Sequence, residues 1–192
     1  MRPRSAAGWI ALSLSSLLPA AISASSSGSP ICHVDQIIGC PMGFPVPVGA
    51  GIYTVQVTPA VYVPGETVTI SVHPGNTFAL LNGLLLYVER PDQIGGDGYP
   101  VKVGSFATPL PAGVQAACAF APTAQVVTHD GGADLALPAS FIWTAPPDVH
   151  APLRIRAMLL RAGGEFDWND APFEIVSLAL PSNDPVFSDS FE

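Results

Sequence analysis

The sequence predicts an all-β sandwich, and three observations predict it. Leu135, Leu137, Ala139, Phe141 and Trp143 fall on one parity, and so do Leu153, Ile155, Ala157 and Leu159. Successive side chains of a strand point to opposite faces, so a period of two marks one apolar face and one wetter face. Short segments of this kind recur at intervals of roughly ten residues, the spacing of a sandwich. The 21 prolines and 18 glycines punctuate them with turns. About seven to nine strands are expected, with no helix of consequence after the N-terminal leader. The two segments flanking Thr144-Ala145-Pro146-Pro147 read as neighbouring strands of one antiparallel sheet, with Trp143 as its core anchor.

In chain order, Met1-Arg2-Pro3-Arg4 precedes an uncharged run from Ala6 to Ile22 with small residues at its end, the pattern of a secretory signal peptide over 1–24. The run is too short and too rich in serine for a membrane span, which needs about 20 apolar residues. Residues 25–39 form a polar leader of linker composition, and 40–180 hold the sandwich. Ile52 to Val57 alternates. Val63-Pro64-Gly65-Glu66 is a turn, because Pro presets φ and Gly permits positive φ. Thr67 to His73 is dense in β-branched residues and forms the second strand. Gly83 to Val88 is a continuous apolar run, which suits a strand buried on both faces. Residues 91–100 are a loop rich in Gly and Asp; 101–107 and 125–129 are short strands. Asp130-Gly131-Gly132 turns into the Leu135 segment. Pro172 to Leu180 is the last strand, and 181–192 is an acidic tail.

Charge limits the partners. The formal net charge is −8. Without Arg2 and Arg4, five basic side chains face fifteen acidic ones, a net charge of −10. Nucleic acid demands a basic footprint and is excluded. A protein or glycan partner remains. The three cysteines, Cys32, Cys40 and Cys118, mean one pair and one leftover thiol in an exported chain, or an intermolecular bond. No Cys-x-x-Cys supports a zinc site.

The order of motifs resembles the reeler (reelin) domain family. The matching pieces begin with Cys40-x-Met42, Tyr62-x-Pro64-Gly65 and Val68-Thr69-Ile70. They continue through Asn82-Gly83-Leu84-Leu85-Leu86, Glu89-Arg90, Gly104-Ser105-Phe106 and Cys118. Thr128-His129, Phe141-x-Trp143-x-Ala145-Pro146, Phe166 and Trp168 complete the set. Leu84 stands where the family usually has Phe, and Met42-Gly43-Phe44-Pro45 lacks the family's histidine. The resemblance implies an immunoglobulin-like antiparallel β-sandwich of Greek-key type with a secreted role in adhesion or surface recognition. It supplies no catalytic residues and no cofactor. It also implies a disulfide between Cys40 and Cys118. Cys32 has no family counterpart, and the residues alone leave its bridging to Cys118 or to Cys40 open.

Few residues offer chemistry of their own. Glu165, Asp167, Asn169 and Asp170 present oxygens to calcium, but alternation puts Phe166 and Trp168 opposite them, so a wet strand edge competes. His129 suits a packed structural role better than a ligand role. No Gly-x-Ser-x-Gly elbow is present. Asp92, Asp97 and Asp130 sit in loops that a sandwich offers at its ends as contact surfaces. Arg154 and Arg156 share one strand face and converge either on an anionic ligand or on acids of a neighbouring strand. The expectation is a monomeric, secreted, non-catalytic module, periplasmic if the source is bacterial, that binds a cell-surface or matrix protein or glycan. The alternative is an accessory domain to redox or hydrolytic chemistry with a metal or haem partner.

Overall fold

The computed structural model describes residues 28–29, 31–39, 52–75, 80–118, 124–131, 134–162 and 173–183. A 3₁₀ helix, Val34–Gly39, precedes β1 (Tyr53–Thr58), β2 (Thr67–Pro74), β3 (Leu80–Ile94), β4 (Pro100–Lys102) and β5 (Ser105–Phe106). Then come β6 (Val114–Ala116), β7 (Val126–His129), β8 (Ala139–Thr144), β9 (Leu153–Ala162) and β10 (Phe173–Leu180). They form two antiparallel sheets, one in the order β1-β2-β8-β5 and one in the order β10-β9-β3-β7-β6, with β4 paired to the far end of β3. The all-β sandwich is the fold, with ten described strands because short pieces such as β4 to β6 add to the long ones.

The core lies between the sheets. Val68, Ile70 and Val72 of β2, with Phe141 and Trp143 of β8, meet Leu84, Leu86 and Val88 of β3 and Ile155, Ala157 and Leu159 of β9. Trp143 is fully buried, and its indole N–H donates to the Val103 carbonyl at 3.3 Å. A Cβ at Gly104 would lie 2.3 Å from the Trp143 ring, and Gly104 has φ +68°. Glycine is required there by both space and backbone.

Three expectations change. The segments on either side of Thr144-Ala145-Pro146-Pro147 are not neighbours. β8 pairs with β2, β9 pairs with β3, and the connection crosses from one sheet to the other. Equal alternation is what facing strands of a sandwich need, just as adjacent ones do. The strand expected over 101–107 divides at Gly104 into β4 and β5, one in each sheet. The strand expected to end near Val88 runs on to Ile94, so much of the 91–100 loop is hairpin.

β3 is buried on both faces, as its apolar run predicts. On the outer side Leu85 and Tyr87 join Met158, Leu160 and Phe173 in a second apolar cluster, roofed by Ile31 and Val34 of the N-terminal lead.

Candidate functional site

The lead over 28–39 is bound to the larger sheet through Ser29, Ile31, Val34 and Asp35. Ser29 N donates to Thr128 Oγ1 at 2.8 Å, and Val34 N donates to the Tyr87 hydroxyl at 3.1 Å. Gln36 Oε1 accepts from the backbone N–H groups of Cys32 and His33. Cys32 bonds to Cys118 with their Cα atoms 5.8 Å apart. The Cys40–Cys118 pairing is therefore overturned. Insertion of Ile31 and Val34 into the second cluster holds Cys32 over the chain just after β6, where it meets Cys118. Cys40 lies outside the described residues.

Beside this disulfide is an open cleft of about 350 Å³ between the lead and the β3–β4 hairpin. Its polar groups are His33, Asp97, Lys102, Gln36 and Gln125. The hairpin tip is shaped by its own bonds: Gly95 N donates to the Tyr99 carbonyl at 2.8 Å, and Tyr99 N donates to Asp97 Oδ1 at 3.1 Å. The His33 ring stacks on Tyr99 with centroids 4.4 Å apart and meets Tyr87 edge-on at 5.8 Å. Its Nε2 lies 3.0 Å from Asp97 Oδ2 and 2.5 Å from Lys102 Nζ. The Lys102 ammonium sits 5.2 Å from the centroid of the Tyr87 ring, a cation–π distance.

Burial sets the proton affinities here. It lowers the pKa of His33, with the nearby Lys102 charge second, and outweighs the raising influence of Asp97. Burial likewise lowers Lys102. It raises the Tyr87 phenol to about 12. The Asp97 carboxyl is held low, first by the Tyr99 N–H.

Next to the cleft runs a charged row. Glu89 of β3 is fully buried, and Arg154 Nε and Nη2 donate to its Oε1 at 2.7 and 2.6 Å. Arg156 Nε approaches the same oxygen at 3.8 Å, and Arg156 Nη2 bonds Asp35 of the lead. Among the described residues Glu89 Oε2 has no hydrogen-bond partner.

Of the described residues singled out from sequence, Asp97 and Cys118 reach the cleft. Asp92 is exposed and paired with Arg90 at 2.8 Å. Asp130 follows β7, its N–H bonded to the Gly113 carbonyl at 2.7 Å. Arg154 and Arg156 lie on β9 and pair with Glu89 and Asp35. His129 Nδ1 accepts from Leu84 N at 3.2 Å. Glu165, Asp167, Asn169 and Asp170 lie outside the described residues. Among the described residues no group of three or more His, Cys, Asp or Glu could hold a metal ion, and no helix is long and apolar enough to cross a membrane. His33, Tyr99 and Lys102 were not singled out. The only sequence signal for the lead was a cysteine flanked by Ile31 and Val34.

Fold and site together define a disulfide-tied antiparallel sandwich whose N-terminal lead roofs one sheet. A model of the reeler domain family matches residues 45–179. The chain belongs to the reeler domain family. Similar solved structures include the human F-spondin reeler domain, 15% identical, with TM-score 0.56 over 73% of this chain and 94% of that one. The Reelin-N domain of F-spondin is also 15% identical, with TM-score 0.57 over 79% of this chain and 100% of that one. No curated protein matches the chain. Reeler domains are typically extracellular, and the disulfide is consistent with an oxidising compartment.

Proposed function

We propose that the mature chain is a secreted recognition module without catalytic activity, which binds a cell-surface or matrix component. The observation that carries this reading is the cleft at the β3–β4 hairpin. It is a surface formed by a loop tip and a covalently fixed lead on a rigid sheet, the arrangement by which sandwich scaffolds present contact residues. Membership of an extracellular family and the leader pattern of residues 1–24 support export. The test is capture of the mature protein on whole cells, matrix polysaccharides and a glycan panel. Saturable binding, reduced by substitutions in the hairpin and unchanged by substitutions on the opposite sheet, is the expected result. Turnover of a substrate, lost on changing one polar residue without unfolding, overturns it.

A further inference from the structure

We propose that the Cys32–Cys118 bridge is a thiol–disulfide exchange site, open through the cleft to attack by a small soluble thiol. Such exchange goes beyond recognition and does not depend on it. Three observations on this one bond carry it. Both cysteines are half-buried and line the open cleft, so a solute in the cleft meets the bridge without unfolding the chain. Next, Cys118 has φ +61°, and among the described residues it is the one non-glycine with positive φ. In that region a Cβ crowds the following carbonyl oxygen. A backbone held there stores strain, and strained or exposed disulfides are the labile ones.

Third, the cleft wall supplies a cation. Basic side chains stabilise thiolates, the form in which sulfur attacks and leaves. Lys102 Nζ lies 3.3 Å from Nδ1 and 2.5 Å from Nε2 of His33, the residue that follows Cys32. Asp97 opposes it, but that side chain is 59% exposed, where water screens its charge, whereas Lys102 is half-buried.

The incoming thiolate attacks Cys118 Sγ, a new S–S bond forms there and the Cys32–Cys118 bond breaks. Cys32 leaves as the thiolate, because the lysine charge lies on its side of the bridge, and takes up the proton that the incoming thiol lost. A second thiol attacks the small-molecule sulfur of the mixed disulfide, which frees Cys118 and releases a small-molecule disulfide. Two protein sulfurs are reduced and two thiols are oxidised. The volume of about 350 Å³ lies at the small end of the roughly 300–1,000 Å³ typical of ligand sites, enough for a thiol the size of free cysteine. Reduction leaves the lead held by noncovalent contacts such as Ile31 and Val34 in the second cluster and Asp35 on Arg156. One wall of the cleft then becomes releasable.

The experiment caps any free thiol of the folded mature protein with N-ethylmaleimide and then adds free cysteine without denaturant. Samples quenched with iodoacetamide at successive times are mapped by mass spectrometry. The expected result is a cysteinyl adduct on Cys118 with Cys32 alkylated, followed by alkylation of both. The rate should rise in proportion to cysteine concentration, because attack on the native bond needs no prior opening, and the dichroism spectrum should stay that of the folded chain. Lys102→Met should slow the attack at least about threefold, whereas a variant that only loosened the lead would speed it. Asp92→Ala, on the same hairpin but outside the cleft, should react as wild type. A rate that levels off at the unfolding rate as cysteine is raised overturns the site, since the bridge then opens only through unfolding. An adduct confined to Cys32 does so too, as does a Lys102→Met variant that reacts as fast as wild type or faster.

Discussion

The two outer faces of the sandwich are built on opposite plans. The larger sheet turns Leu85, Tyr87, Glu89, Arg154 and Arg156 outward and has the lead fastened over them. The smaller sheet turns out Thr54, Gln56 and Thr58 from β1, Thr67, Thr69, Ser71 and His73 from β2, and Ser140, Ile142 and Thr144 from β8. None of those ten is Asp, Glu, Lys or Arg. Antiparallel sheets tolerate water on one face because alternation places polar groups there, and the smaller sheet uses that freedom. The larger sheet has apolar residues on both faces and needs a second cover. The lesson is that 28–39 belongs to the fold as much as any strand does. Changes on the covered face should be costly, and changes on the bare face should not.

The sharpest way to break the contrast is to free the lead. The Cys32–Cys118 bridge closes a separation of 86 residues, which in the chain-entropy model stabilises by about 4.5 kcal/mol. Cys32→Ser should lower stability to urea by a large part of that figure. It should also make the lead the first site of limited proteolysis. Proteolysis starting elsewhere, with the lead intact, would show that packing alone holds it.

A smaller effect is expected from Glu89→Ala. Removing one partner of a buried ion pair costs about 3–5 kcal/mol, but Arg154 is 34% exposed and can regain water, so about 2–3 kcal/mol is expected. Chemical denaturation reads it directly. A neutral outcome would mean that Arg154 and Arg156 are hydrated in the native state.

Acid should loosen the lead. His33 has a folded pKa below its ordinary value of 6.5. The unfolded chain therefore binds more protons, and stability rises with pH across that window. The contribution is complete above about 6.5 and is lost as pH falls through the folded value. The lowered Asp97 carboxyl acts in the same direction at more acid pH. Hydrogen exchange at Val34, with β1 amides as reference, should accelerate below about pH 6.5 beyond the intrinsic change. Equal behaviour of the two regions would remove His33 from the account.

The smallest effect belongs to the bare face. Ile142 is 52% exposed, and Ile142→Thr should change stability by less than about 0.5 kcal/mol. A loss above 2 kcal/mol in thermal denaturation would mean that this face is covered in solution.

How much of this was legible follows from what alternation encodes. It identified β1, β2, β8 and β9, because each has one face in the core and one turned from it. It identified β3 as buried on both sides from an unbroken apolar run. It carried no information on sheet membership, so β8 and β9 were joined as neighbours when they face one another across the core. The lead was invisible because Ile31 and Val34 are two apolar residues among Ser, Pro, Cys and His, with no period to mark them. Asp97 was found as a loop acid. Lys102 belongs to the same hairpin, and only the docking of the lead brings His33 to the pair.

β3 has a further consequence, for the order of events as the chain folds. Its register with β9 sets Leu80 opposite Ala162 and Glu89 opposite Arg154, so the central pairing joins segments far apart in sequence. β1 and β2 can zip as a local hairpin within microseconds, but the larger sheet has no centre until residues near 160 are present. Non-local pairing of this kind places β domains in the millisecond-to-second range. Until β9 arrives, the run Leu84-Leu85-Leu86-Tyr87-Val88 stays unpaired on that side. The interval between synthesis of β3 and arrival of β9 is when this chain is most exposed to aggregation.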